Sequence, residues 1–322
     1  MAVGWGILGA GSVAQRRVMP ALNELDGCRI QSLMVRDGDR AKALAEEFGA
    51  VTSCDNVADL VTNPAVNAVY ISSPPNLHCE HTLAAAGHGK HVLCEKPMAI
   101  NKAECERMIR ACEAAGVHLE VCFVLRGWPV YQKIRSVVNS GDLGQVVEIR
   151  ARLGKWTPRD QEEWRLDPAQ SGGGALMDVG SHYLDLFRYL LGDFSSVSYM
   201  GSSNVFGYPV EESAFVLIAF EQGCHGILSA TYAVPHPGNL LEIYGTEGTL
   251  ILGEQLRVIT VNGEALHKVE FPDYYSGLLQ HFHDTLESGG PALASGTDGL
   301  KNLEIILAGY ESGETGREIK LG

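Results

Sequence analysis

Two short stretches of this chain carry side chains whose types and spacing suit proton and charge chemistry. The first is Cys94-Glu95-Lys96-Pro97, which follows the apolar run Lys90-His91-Val92-Leu93 and precedes a helical pattern from Lys102 to Ala115. The run predicts a strand that ends at Cys94, with Lys96 on the loop just beyond. In an open parallel sheet ligands bind outside the carboxyl ends of the strands, so an ammonium there can point into a ligand crevice. Desolvation lowers the pKa of a lysine and lets it serve as a general acid or base near neutral pH. Pro97 fixes the backbone behind it. Glu-Lys-Pro in isolation is more often a surface lysine before an ordinary helix, and the rest of the chain has to decide.

The second stretch runs from Gly172-Gly173-Gly174 to Asp178, His182 and Asp185. The last three are spaced i, i+4, i+7 and share one face of a predicted helix over 176–191. The other residues of that helix include Leu176, Leu184, Leu186, Phe187 and Leu190. Imidazole titrates near neutral pH, and a carboxylate beside it orients the ring and raises its basicity. The glycines before it permit a ligand to come close. A buried structural His–Asp pair has the same spacing, and these residues alone do not separate the two.

A third stretch suits phosphate binding. Gly9-Ala10-Gly11-Ser12-Val13-Ala14 is a G-x-G-x-x-A turn between an apolar strand, 3–8, and a helix to about Leu25, the context such a motif requires. Gly9 permits the tight turn, Gly11 lets a pyrophosphate approach the backbone, and Ala14 allows close helix–strand packing. The amides of Ser12 and Val13 and the helix dipole would hold the phosphates. The next strand, 28–35, ends in Met34-Val35-Arg36-Asp37. A site for NAD usually has an acidic residue at this tip for the ribose hydroxyls. Val35 cannot accept a hydrogen bond, and the guanidinium of Arg36 suits a 2′-phosphate, so the tip points to NADP, with NAD the alternative. A solvated loop cation is the other reading of Arg36. Asp37 and Asp39 are placed to cap the helix to Phe48. Ser73, Pro74, Asn76 and His78, after a strand over 67–71, are candidates to line the same cofactor, although turn chemistry also favours these residue types.

The elements that must position these groups alternate strand and helix for about 120 residues, which defines a doubly wound parallel sheet, an α/β Rossmann domain over 1–123. Its later members are helices over 55–61, 77–87 and 102–115 and strands at 50–52, 67–71, 90–94 and 117–123. Asn101 and Glu104 are spaced as a capping-box variant. The pattern changes after 123. A helix over 129–139 and a strand over 145–155 precede the Asp178 helix. Strands follow at 196–206, 212–221, 224–233, 239–245, 248–252, 256–261 and 265–271. Helices over 275–288 and 297–312 and a strand over 318–321 close the chain. Consecutive strands without helices are expected to pair largely antiparallel. Residues 124–322 are therefore expected to form an α+β domain with a large, open-faced sheet, the last helix packing back on the first domain, and the active site between the two.

Composition sets bounds on function. The chain has 322 residues, 45% of them hydrophobic, and a net charge of −14, which speaks against binding nucleic acid or an anionic membrane through a broad basic surface. Eight cysteines include no C-x-x-C pair, and Cys105 and Cys112 lie two turns apart with no histidine cluster nearby, a poor fit to a zinc site. They read as reduced thiols of a cytoplasmic protein. Neither a signal peptide nor a membrane-spanning run is expected.

Taken in order, the G-x-G-x-x-A turn, Glu95-Lys96-Pro97, Gly172-Gly173-Gly174 and Asp178-x-x-x-His182-x-x-Asp185 resemble the glucose–fructose oxidoreductase, inositol dehydrogenase and rhizopine catabolism family (Gfo/Idh/MocA). Further matches are Arg126 with Pro129, Gly141-x-Leu143-Gly144, Trp164-Arg165, Gly245-Thr246-Glu247-Gly248, and Tyr275 seven residues before Phe282, so the resemblance spans essentially the whole chain. It is nearer to the xylose, dihydrodiol and anhydrofructose branches than to the inositol dehydrogenases. The resemblance implies hydride transfer between nicotinamide and a carbinol carbon of a sugar or polyol, and a homodimer or a dimer of dimers. It implies Lys96, Asp178 and His182 as catalytic residues, with Glu95, Arg126, Trp164, Arg165 and Tyr275 near the cofactor or substrate. One departure is Cys122-Phe123-Val124, where many members carry Asn or His, which makes one side of the pocket less polar. In the expected oxidation His182 accepts the hydroxyl proton, Lys96 stabilises the same oxygen, and Asp178 orients one of them. Lys96 as the proton carrier is the alternative assignment. Two other readings are a non-catalytic dinucleotide-binding sensor, which should lack Lys96 or His182, and an enzyme acting on a cyclic diol or a tetrapyrrole, which the apolar Phe123-Val124-Leu125 would suit.

Overall fold

A computed structural model of the chain describes residues 3–160, 163–235, 238, 240–269 and 275–322. They cluster into two compact units, 1–127 with 272–300 and 128–271 with 301–322.

The first unit opens with β1 (Val3–Leu8), a π-helical turn (Ala14–Val18) that runs into α1 (Met19–Glu24), β2 (Cys28–Met34), α2 (Gly38–Phe48) and β3 (Thr52–Cys54). It continues with α3 (Val57–Thr62), β4 (Ala68–Ile71), α4 (His78–Gly87), β5 (His91–Cys94), α5 (Lys102–Ala115) and β6 (Leu119–Val121). The six strands lie in the order β3-β2-β1-β4-β5-β6 and every pairing is parallel. The apolar runs are continuous because helices cover both faces of such a sheet; all four residues of β4 are buried. The chain winds outward from β1 to β3 and then crosses back to β4, so the β1/β4 pair is the topological switch point, where a crevice opens beyond the strand ends.

The chain then forms α6 (Pro129–Ser140), β7 (Val146–Gly154), α7 (Pro168–Ser171), a second π-helical turn (Leu176–Gly180), α8 (Ser181–Leu191), β8 (Phe194–Ser202), β9 (Ser213–Phe220) and β10 (His225–Thr231). After these come β11 (Leu240–Gly245), β12 (Gly248–Leu252), β13 (Gln255–Thr260), β14 (Gly263–Lys268), α9 (Ser276–Ser288), α10 (Gly296–Thr315) and β15 (Ile319–Lys320). Among the described residues the second sheet has nine strands in the order β14-β13-β12-β11-β7-β10-β9-β8-β15. It is antiparallel except where β7 meets β10. The strand expected to reach 271 ends at Lys268, and residues 270–271 lie outside those described.

One face of the second sheet carries the π turn and α8, which lie over β9 and β10. Among the described residues the other face is open at its centre. Its strands β8, β9 and β10 present Met200, Phe215, Leu217 and Ile227, all exposed, with Phe215 opposite Met200 and Leu217 opposite Ile227. The division between units departs from the single boundary expected near 123. Residues 272–300 go with the first unit because α9 has an apolar stripe, Leu278, Leu279 and Phe282, all buried. The Phe282 ring centroid is 5.2 Å from that of Trp5 in β1. The cut after residue 300 passes through α10. All eight cysteines are free thiols. No helix among the described residues is long and apolar enough to cross a membrane.

Candidate active site

The tips of β1 and β4 touch. Gly9 has φ +86°, and a Cβ there would come within 2.9 Å of the Ser73 amide nitrogen. Only glycine serves such a left-handed, close-packed position without strain. Ser72 N–H donates to the Leu8 carbonyl at 2.8 Å and Ser72 Oγ donates to the Gly9 carbonyl. Gly11 differs: a Cβ there would meet nothing within 4 Å, so space stands open over the turn. Ser12 is exposed and Val13 half-buried at the start of the helix, where first-turn amides have no intrahelical acceptor.

At the tip of β2, Arg36 is exposed directly after buried Val35. Asp37 is the cap of α2: its Oδ1 accepts from the Asp39 and Arg40 amides, both at 3.1 Å. Asp39 lies in the first turn rather than at the cap. Arg40, which the sequence reading passed over, reaches back to donate from Nη2 to the Ala10 carbonyl at 3.2 Å. Two guanidiniums therefore flank this tip, and its carboxylate is already engaged.

At the tip of β4, Ser73 Oγ pairs with His81 Nδ1 at 2.9 Å. Asn76 Oδ1 is buried and has no hydrogen-bond partner among the described residues. His78, a candidate for the cofactor side, is buried. It is 1% exposed, with Nε2 2.8 Å from the Ser73 carbonyl and Nδ1 3.0 Å from the Pro97 carbonyl. Burial pushes its pKa down to about 4, so the ring is neutral and donates to one carbonyl at a time. It ties the β4 loop to the turn that carries Lys96.

Lys96 is half-buried beyond the end of β5. The residue before it is the centre of a polar knot. Glu95 Oε1 accepts from Tyr70 Oη at 2.8 Å and from Tyr275 Oη at 2.6 Å, and Oε2 accepts from the Lys96 amide at 3.2 Å. Burial, then the Glu95 charge, holds both phenols well above their usual pKa, so both remain donors. Glu95 and Tyr275 were expected beside the cofactor; here they anchor the Lys96 backbone. Arg126 also departs from expectation. It is 5% exposed, donating to the Leu293 carbonyl at 3.0 Å and to Asp298 Oδ1 at 3.1 Å. Burial alone would raise the Asp298 carboxyl, but Arg126 and Ser295 together hold it below its ordinary value.

In the second unit Asp178 sits in the π turn and His182 in the first turn of α8, both half-buried. In a regular α-helix four residues overshoot one turn by about 40°. The wider π turn takes up part of that advance and brings the two side chains nearer one line. Such bulges are frequent at functional sites. Asp178 Oδ2 accepts from Arg159 Nη2 at 3.0 Å and from Tyr232 Oη at 2.9 Å. Asp185 is buried at 1% exposure. The glycines were expected to admit a ligand; instead the protein itself fills the space. A Cβ on Gly173 would fall 2.0 Å from Tyr310 Oη, and one on Gly174 would fall 2.0 Å from the Glu211 carbonyl oxygen. Trp164 and Arg165 stack on each other, the guanidinium 4.3 Å from the ring centroid, and Arg165 donates to Glu163 at 2.9 Å.

The first unit fits a nicotinamide dinucleotide on its own geometry: open space at Gly11 for a pyrophosphate, cations at the β2 tip, and a lysine at the β5 tip. Residues 3–123 match the oxidoreductase family with an NAD-binding Rossmann fold, and residues 131–251 match the GFO/IDH/MocA C-terminal domain. The chain belongs to the Gfo/Idh/MocA family and is an oxidoreductase that uses a nicotinamide dinucleotide. It is 32% identical to a 1,5-anhydro-D-fructose reductase of Ensifer adhaerens over 99% of both chains. It is 28% identical to an NADP-dependent D-xylose 1-dehydrogenase of Haloferax volcanii, over 98% of this chain and 99% of that one. Among solved structures, an aldose–aldose oxidoreductase from Caulobacter crescentus, complexed with glycerol, superposes with a TM-score of 0.92 at 30% identity, over 100% of both chains.

Proposed function

We propose that this chain moves a hydride between a nicotinamide dinucleotide and a hydroxyl-bearing carbon of a sugar or polyol. The observation that carries the reading is Lys96, held at the tip of β5 by the Glu95 knot, in the sheet whose β1 leads into the Gly9–Ala14 turn. The names of the relatives supply the substrate class. When bound, the dinucleotide supplies the hydride acceptor for oxidation. His182 takes the hydroxyl proton, Lys96 donates a hydrogen bond to the same oxygen as negative charge develops there, and Asp178 provides a fixed carboxylate. Trp164 and Arg165 are assigned to the cofactor or substrate side of the same reaction. The test is a panel of aldoses, anhydro-sugars and polyols with NAD and NADP, in both directions; no turnover with any pair would sink the reading.

Within it the cofactor is NADP. The support is the pair of guanidiniums, Arg36 and Arg40, around a tip whose acid, Asp37, is taken up by the α2 amides. Arg36→Ala is expected to weaken NADP binding by roughly 1.5–3 kcal/mol, the range for a hydrogen bond to a charged group, with NAD little affected. Titration of both cofactors by calorimetry checks this, and tighter binding of NAD by the unaltered protein would refute it.

The open face of the nine-stranded sheet is assigned to a second copy of the chain. The apolar row Met200, Phe215, Leu217 and Ile227 is contiguous across three strands, a kind of patch that marks interaction sites. The neighbouring strand carries both signs of charge, with Arg150 paired to Glu148, so the face can meet itself. Light scattering at micromolar concentration is expected to give twice the chain mass, and Leu217→Glu to give the single mass. A monomer for the unaltered protein overturns the assignment.

A further inference from the structure

Arg159 is remote in sequence from Asp178, yet its side chain is 7% exposed and its guanidinium lies between two carboxylates, Asp178 at 3.0 Å and Glu163 at 2.6 Å. Glu163 also accepts from Arg165 at 2.9 Å, so two guanidiniums balance the two carboxylates. The guanidinium carbon also stands 4.7 Å from the ring centroid of Tyr232, whose hydroxyl donates to the same Asp178 oxygen. Burial, then the Asp178 charge, keeps that phenol well above its usual pKa, so it stays a donor. The other charged or titratable groups around the π turn are Lys155, over the Tyr232 ring at 5.9 Å, Glu211, which accepts from the Gly174 and Leu176 amides, and His182 on α8.

The loop that carries Arg159 is itself held. The Arg159 amide donates to Tyr208 Oη at 2.6 Å. Tyr208 is buried beside Leu166 and Val210. Its own loop is pinned by the buried Glu212 carboxylate, which accepts from the amides of Val205, Phe206 and Tyr208 at 2.9, 2.8 and 3.2 Å. A carboxylate that receives a guanidinium and a phenol on one oxygen is stabilised in its charged form.

We infer that Arg159 is a positioning residue: with Tyr232 it fixes Asp178 as a permanent anion, so that Asp178 serves the reaction as a charge and not as a proton carrier. The inference rests on the assignment of Asp178 to the active site made above. Its test has two readouts on the full chain. In the first, ¹³C-carboxyl labelling of aspartate, with Asp178→Asn to identify the signal, follows the titration of Asp178 directly. In Arg159→Gln the midpoint is expected to move to higher pH by at least about one unit, since an adjacent arginine lowers a carboxyl by one to three; Arg159→Lys should restore most of the shift. In the second, kcat at neutral pH is expected to fall in Arg159→Gln and to recover in part in Arg159→Lys, while NADP affinity holds. A midpoint that stays in place overturns the inference whether or not a substrate is known. A midpoint that moves while kcat does not also overturns it, and in that case the fault lies in the assignment of Asp178 to catalysis. A lower melting temperature alone, with the midpoint and kcat unmoved, would make Arg159 merely structural.

Discussion

Replacing His182 with alanine is expected to lower turnover about 10²–10⁴-fold, the usual contribution of a general acid or base, while NADP affinity stays near that of the unaltered protein. Lys96→Ala should fall in the same range for a different reason: it removes the donor that stabilises charge on the substrate oxygen. If both groups act on one oxygen, the double variant should cost less than the product of the single losses, because residues acting as a unit are not additive. The Lys96 amide donates to Glu95 Oε2, a backbone contact that alanine keeps, so Lys96→Ala should leave the Tyr70–Glu95–Tyr275 knot in place. Turnover, cofactor affinity and melting temperature measured on the same variants separate catalysis from folding. If His182→Ala keeps more than about a tenth of the turnover, above what losing a general base allows, then Lys96 carries the proton.

Gly174→Ala is expected to destabilise the second unit by about 3 kcal/mol or more, at or above the top of the usual overpacking range. The added carbon would lie 2.0 Å from the Glu211 carbonyl oxygen and 2.7 Å from its amide nitrogen, and backbone atoms cannot swing aside as a long side chain can. The damage should reach Asp178, because the Gly174 carbonyl accepts from the Asp178 amide at 2.9 Å. Gly11→Ala is the contrasting case. Its added carbon meets nothing within 4 Å, so stability should change by no more than about 0.5 kcal/mol, as at an ordinary surface site. Dinucleotide binding should weaken instead, since that space is where the pyrophosphate approaches. Thermal unfolding and NADP titration on the two variants give opposite patterns. Gly174→Ala as stable as the unaltered protein would show that the Glu211 segment yields freely, contrary to its tight hydrogen bonding.

What the sequence by itself determined is whatever local physics reports. Apolar runs bounded by turn residues located the six parallel strands and the nine-stranded sheet, because burial on one or both faces leaves a period that can be read along the chain. Caps were legible for the same reason: Asp37 and Asn101 bond to amides two or three residues on, at 3.1 and 2.9 Å. The phosphate turn and the position of Lys96 at a strand tip needed only the neighbouring residues.

Tertiary structure decided which side chains those elements bring together. Glu95 meets Tyr275 across 180 positions, Arg126 meets Asp298 across 172, and Asp178 meets Tyr232 across 54. Periodicity tells that a residue is buried but not against what, so the anchoring partners of Glu95, Arg126 and Tyr275 were not legible, and Arg159 went unnoticed. The glycines before Asp178 show the same limit. A run of glycine states that something must come close, and only packing decides that the visitor is Tyr310 and Glu211 rather than a ligand. The return of α9 to the first unit follows likewise from a complementary surface, Trp5 against Phe282, that neither segment encodes alone. A side-chain partner far along the chain is chosen by the shape and charge of the assembled core, and those exist only once the chain has folded.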